Sequence, residues 1–195
     1  GAFGWGGMIT TADAAAARRI KMLRAYGEDP AVYPPPSAGF RFATLHPEVQ
    51  GWNVRMDTLQ AAVLLVKLPY LDSMVEERQG IAARYRAGLH GTPVTVADDP
   101  PYLRNAYRNF VIRVKDRDAV RRALFEAGIP TGMHYVPPAH LMPVFQDLGY
   151  PRGSLPQTER AAEELLTLPI YPGMSADDVD VVIEHLRRVT ASTRK

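Results

Sequence analysis

The apolar positions change their period several times along the chain. Met8 and Ile9, between glycines and threonines, predict a short buried strand over residues 6–11. A helical period follows over residues 12–26. Ala16, Ile20 and Leu23 share a face, Thr11 or Asp13 can cap the start, and Gly27 stands where a helix end needs a left-handed residue. The pattern stops at residues 28–50, where Pro30, Pro34, Pro35, Pro36 and Pro47 exclude a helix interior and a central strand, so the stretch reads as a long surface loop. Helical spacing returns over 57–67 with Leu59, Ala62, Val63 and Val66, where Asp57 can cap and Gln60 can reach back to it as in a capping box. Pro69 interrupts it, and residues 70–89 form a second amphipathic helix carrying Leu71, Met74, Val75, Ile81, Ala82, Tyr85 and Leu89.

From residue 92 the period alternates. Phe110, Ile112 and Val114 lie on one face of a strand within 106–115, and residues 118–128 form a helix closed by Gly128. Residues 129–136 read as a strand, 137–150 as a segment holding a short helical turn, 157–166 as a helix and 168–170 as a short strand. Ser175 caps a last helix whose stripe is Val179, Val182, Ile183 and Leu186. This order suits a small sheet covered by helices on one face.

Composition narrows the function classes. At 195 residues the chain can form one sizeable core, or a small domain with a piece of another. Its net charge of +2 gives no reason to expect nucleic acid, and its densest basic group, Arg18, Arg19, Lys21 and Arg24, falls on the outer face of a helix. Without cysteine there is neither a disulfide nor a thiolate metal site. No uninterrupted apolar run approaches the roughly 18 residues of a membrane span, and residues 1–7 have no signal-peptide character, so a cytoplasmic protein with no membrane partner is expected. A start at Gly1 in place of Met implies processing or a longer parent.

The residues alone carry little chemistry. Gly1, Gly4, Gly6 and Gly7 are not followed by Gly-Lys-Ser/Thr, and the expected strand comes after them, the reverse of a dinucleotide fold; tight backbone packing explains them better. His134 and His140, with Tyr135 between them, have no acidic or cysteine neighbour in sequence, so no metal site is expected. They read either as a ligand site at a strand end or as a pair of structural histidines.

Four segments together resemble one family. Gly51-Trp52-Asn53-Val54-Arg55-Met56-Asp57-Thr58-Leu59-Gln60-Ala61-Ala62 is similar to the Gly-x-Asn-x-Arg-Met/Leu-x-Glu/Asp-x-Gln-Ala-Ala element of the DegT/DnrJ/EryC1/StrS sugar aminotransferases. Gly6 to Thr11 with Arg19 to Gly27, Gly128 to Leu141 and Leu168 to Ser175 resemble other segments of that family, in the same order, with Glu77-Arg78 and Arg84-Tyr85 between them. The resemblance implies an α/β chain that is the C-terminal part of a pyridoxal-phosphate (PLP)-dependent transferase of fold type I. Residues 1–61 would be the tail of the large cofactor-binding domain, 62–91 linking helices, and 92–195 a small C-terminal α/β domain with a short sheet.

It further implies amino transfer from an amino acid, typically glutamate, to a nucleotide-linked keto-sugar, in a homodimer with shared active sites. Asn53 matches the residue that reaches the cofactor phosphate of the neighbouring subunit, Arg55 matches a motif position that could equally hold its own loop, and His134 and Tyr135 match the segment facing the substrate. The family's Schiff-base lysine falls upstream of Gly1, so no catalytic residue is expected in this chain and the chain alone is expected to be inactive. Two alternatives stay open: a dehydratase with histidine in place of that lysine, and a non-catalytic module that binds a partner.

Overall fold

A computed structural model describes residues 1–29, 31 and 47–192. Of the Pro-rich loop expected over 28–50, residues 30 and 32–46 lie outside the described residues. The chain divides into two compact units, Gly1–Tyr70 and Leu71–Lys195.

The first unit contains α1 (Ala14–Leu23) and α2 (Thr58–Lys67), the latter followed by a 3-10 turn at Leu68–Tyr70. Asp13 caps α1: its Oδ1 accepts from the amides of Ala15 at 2.8 Å and Ala16 at 3.1 Å. Thr11 supports the cap from outside, its hydroxyl oxygen accepting from the Asp13 amide at 3.1 Å. At the other end the Gly27 amide donates to Met22 O at 2.8 Å, and Gly27 takes the left-handed φ of +84° that its position called for.

Two local expectations fail here. Residues 6–11 form no strand; Met8 is 82% exposed and Ile9 70%, and they pair with no described strand. A two-residue apolar signal specifies a strand only where a sheet receives it. The capping box at α2 is also absent. Asp57 makes no side-chain cap bond, and Gln60 instead uses its Oε1 to accept from the Gly4 amide at 2.9 Å.

The second unit runs α3 (Leu71–Leu89), β1 (Thr95–Val96), β2 (Phe110–Arg113), α4 (Arg117–Glu126), α5 (Pro156–Glu164), β3 (Leu165–Leu168) and α6 (Ala176–Ser192). The strands form one antiparallel sheet in the order β1-β2-β3, with Ile112 opposite Val96 on one side and Leu166 on the other. Period-2 alternation puts Phe110, Ile112 and Val114 on the core face beside Leu166 and Leu168, where they meet Ile81, Tyr85 and Leu89 of α3, Val120 and Leu124 of α4, and Val179, Val182 and Leu186 of α6. Tyr85 is fully buried, 5.0 Å from Phe110 between ring centroids, and its hydroxyl donates to Pro169 O at 2.9 Å. Helices α3 and α6 approach closely because position 88 is glycine; a Cβ there would lie 2.5 Å from Ile183 Cδ1. The expected cap of α6 is present and reciprocal: Ser175 Oγ accepts from the Asp178 amide at 3.1 Å and donates to the Asp178 carboxylate at 2.6 Å.

The strand expected over 129–136 reduces to a single bridge between Gly132 and Thr167. Pro130 and Pro137 lack the N–H groups a longer ladder needs. The strand expected at 168–170 lies instead at Leu165–Leu168, because its pairing with β2 sets the register and α5 stops at Glu164.

By length and composition alone, the stretch Thr58–Leu89 is long and apolar enough to cross a membrane. The sequence reading counted only uninterrupted apolar residues, and this stretch carries Lys67, Pro69 and Asp72. Length and composition alone are weak evidence, since core helices of other proteins satisfy the same measure.

Candidate functional site

Asn53 sits on a segment laid antiparallel against the end of α1. The Trp52 amide donates to Leu23 O at 2.7 Å, the Tyr26 amide to Trp52 O at 3.0 Å, and the Val54 amide to Arg24 O at 3.1 Å. Two glycines make this approach possible. A Cβ on Gly27 would lie 1.7 Å from Val49 O, and one on Gly51 would lie 2.1 Å from the Gly27 nitrogen. Asn53 itself is exposed, and its Oδ1 accepts from Arg55 Nη2 at 3.2 Å. The Arg55 guanidinium lies 5.4 Å from the centroid of the Tyr26 ring, a cation–π distance. The carboxamide oxygen is therefore engaged, and the donor that this exposed side chain has left is its NH₂ group, beside the Arg55 cation. This is the donor set an anion requires.

A second feature of this unit was not foreseen. Asp29 is 1% exposed, accepts from the Ala31 amide at 2.9 Å and pairs with Arg18, whose Nε donates to it at 2.7 Å. The Ala31 amide and the Arg18 guanidinium outweigh burial and hold the Asp29 carboxyl below the ordinary carboxylate range. Arg18 thus has a partner, where composition suggested only a solvated face.

In the second unit, His134 and Tyr135 follow the Gly132–Thr167 bridge. The Gly132 amide donates to Thr167 O at 3.0 Å and the Thr167 amide to Gly132 O at 2.8 Å. His134 folds back over this bridge, its Nδ1 2.9 Å from Thr167 Oγ1. The fold-back needs a glycine two residues earlier, since a Cβ on Gly132 would lie 2.6 Å from His134 Cε1. Thr167 points away from the core face of β3, so the imidazole covers the opposite face of the sheet. The Tyr135 ring meets His134 edge-on at 5.1 Å and is 66% exposed. With Nδ1 engaged, His134 Nε2 has no hydrogen-bond partner among the described residues. The structure brings His134 and Tyr135 together; Asn53 belongs to the other unit.

Sequence reasoning paired His140 only with His134. In the structure its Nε2 lies 3.1 Å from Glu159 Oε1, both side chains about nine-tenths buried. Burial raises the Glu159 carboxyl, but His140 and the amides of Gly153 and Leu155 outweigh it and hold it below its ordinary value. Nothing local signals a partner 19 positions away. A further cluster joins Asp99 to Arg86 at 2.7 Å, to Asn105 at 3.1 Å and to the Tyr107 hydroxyl. With the Arg86 bond to Ala97 O at 2.7 Å, these contacts tie residues 97–107 to α3. Among the described residues, no group of three or more His, Asp or Glu side chains is placed to hold a metal ion.

The family model of the DegT/DnrJ/EryC1/StrS aminotransferases matches residues 2–187. The chain belongs to this family. It is 41% identical over 188 residues to the erythromycin biosynthesis sensory transduction protein EryC1 of Saccharopolyspora erythraea, covering 96% of this chain and 48% of that protein. It is 38% identical over 192 residues to the dTDP-3-amino-3,4,6-trideoxy-alpha-D-glucose transaminase of Streptomyces venezuelae, covering 96% of this chain and 46% of that one. Among solved structures it is similar to S. venezuelae DesV in complex with a ketimine intermediate, at 35% identity and a TM-score of 0.86, over 96% of this chain and 47% of DesV. The chain therefore spans about half the length of the curated relatives it matches.

Proposed function

We propose that this chain is the C-terminal portion of a PLP-dependent aminotransferase that moves an amino group from an amino acid, glutamate in the first instance, to a nucleotide-linked keto-sugar. The strongest support is the match of nearly the whole chain to a dTDP-sugar transaminase at 38% identity. On this reading residues 1–61 are the tail of the cofactor-binding domain, 62–91 link the domains, and 92–195 form the small domain of a cytoplasmic homodimer. The Schiff-base lysine then comes from the half of the family fold that this chain does not span, and the chain alone is inactive.

The residues present fit the cofactor's phosphate. Asn53 offers its NH₂ donors, oriented through the Oδ1–Arg55 bond, and Arg55 adds positive charge beside them. PLP, when bound, supplies an electron sink for the carbon that loses or gains nitrogen. The chain's own residues bind and orient. Asn53 holds phosphate, His134 presents Nε2 from a ring fixed by Thr167, and Tyr135 offers a ring face and hydroxyl to the sugar nucleotide.

The test is to incubate the longer polypeptide containing this chain with PLP, glutamate and a panel of dTDP- and UDP-linked keto-sugars. Mass spectrometry should find a nucleotide-linked amino-sugar and an equal amount of 2-oxoglutarate. Loss of water from the sugar with no net amine gain would move the protein to the dehydratase reading, and no turnover of any panel member would sink both. Asn53→Ala should weaken PLP retention about tenfold or more, the effect of removing a hydrogen bond to a charged group.

A further inference from the structure

We propose that Glu159 is a positioning residue: through His140 and the 153–155 turn it clasps the substrate-facing segment 134–140 against α5. The inference rests on the reading above, in which His134 and Tyr135 face the sugar nucleotide.

The segment needs such a device. After the Gly132–Thr167 bridge the backbone leaves the sheet and regains regular structure only at α5, apart from two short 3-10 turns, Ala139–Leu141 and Pro143–Leu148. With no ladder, its placement depends on side-chain ties, and two of these bracket the exposed Tyr135. His134 is tied to Thr167 at 2.9 Å, and His140 to Glu159 at 3.1 Å. Both anchors belong to one continuous piece of chain, since α5 ends at Glu164 and β3 starts at Leu165. The two ties therefore hold the segment to a single rigid support.

Glu159 is suited to the task. Its Oε1 faces His140 Nε2 and accepts from the Gly153 amide at 2.8 Å and the Leu155 amide at 3.4 Å, while Oε2 accepts from Gly153 at 3.0 Å. One carboxylate thus joins a histidine from the start of the excursion to two amides from its end. A carboxylate this deeply buried is tolerated only when its oxygens are engaged. It also lies near the N-terminus of α5, where negative charge is favoured. Removing Glu159 would disturb the start of the helix as well, so His140 is the cleaner place to cut.

The experiment compares wild type with His140→Leu and the conservative Glu159→Gln by two readouts. In this chain, amide hydrogen exchange over residues 135–142 should accelerate about tenfold in His140→Leu, the size expected for one lost charge-assisted hydrogen bond, with α3 and α6 unchanged. In the longer polypeptide the same variant should raise KM for the nucleotide sugar about tenfold while leaving KM for the amino donor unchanged. Glu159→Gln keeps an acceptor for Gly153 and Leu155 and should stay within about threefold of wild type in both readouts. Unchanged exchange in His140→Leu would overturn the clasp. Faster exchange with an unaltered sugar KM would overturn positioning and leave a structural tie only. Should the wild-type longer polypeptide transaminate no sugar, the substrate reading fails by itself, and the exchange result still decides whether the clasp exists.

Discussion

The two units have similar helices and opposite interiors. In Leu71–Lys195 the amphipathic stripes of α3, α4 and α6 close over one face of the sheet, and Tyr85, Ile112, Val120, Leu124, Leu166 and Leu186 reach zero exposure. In Gly1–Tyr70 the stripes are as well patterned, yet Met22 is the one large apolar side chain buried among the described residues, while Trp5 is 98% exposed, Leu59 80% and Leu65 70%. An amphipathic pattern states that a face should be covered, not by what. The second unit brings its own cover in the form of a sheet. The first holds its shape by hydrogen bonds and close backbone contact, around Asp29, Gly27 and Gly51.

That contrast can be broken experimentally, beginning with the largest effect. Phe110→Ala should cost about 3–5 kcal/mol through cavity formation and unfold the second unit, whereas Leu59→Ala in the same chain should change stability by less than about 0.5 kcal/mol. Thermal unfolding followed by circular dichroism measures both, and an equal loss from Leu59→Ala would show that α2 has a hidden core.

Gly51→Ala should cost on the order of 2 kcal/mol or more, because the new Cβ has no room against the Gly27 backbone. The loss should be confined to exchange protection of α1 and the 51–54 segment. An effect on β2 amides would mean that the units unfold together.

Asp29 gives the first unit a pH dependence of definite sign. Its folded carboxyl is held below the ordinary value, so its contribution is present above the normal carboxylate range and drains away as pH falls through the lowered folded value. Protection of α1, corrected for intrinsic exchange, should decline below about pH 4 in wild type and be lower but flatter in Asp29→Asn. Within the second unit's core a smaller effect is expected from Tyr85→Phe, about 1 kcal/mol for the lost bond to Pro169 O, visible as a modest shift of that unit's melting temperature.

Legibility in sequence followed the same division. The alternation of Phe110, Ile112 and Val114, the stripe of α6 and its Ser175 cap were readable because period and cap chemistry are local. The signals that failed were those needing a distant partner. Residues 6–11 carry strand-like composition but pair with no described strand, residues 129–136 pair with β3 only at Gly132, and Gln60 prefers the Gly4 amide to its own helix end. Asn53 became a candidate through family resemblance alone, whereas His134 and Tyr135 stood out first as a polar cluster at an expected strand end and drew a role from the resemblance. The groups that hold His134 and His140, Thr167 and Glu159, lie 33 and 19 positions from them, and no local pattern encodes such a pairing.

The contact of Gly27 with Gly51 has a consequence for how the protein can vary. The Glu48 amide also donates to Gly27 O at 2.9 Å, so backbone from 48 to 54 is held against the end of α1. Positions 27 and 51 are therefore constrained from both sides, because a side chain at either would push the 49–54 backbone off the end of α1 and carry Asn53 out of register.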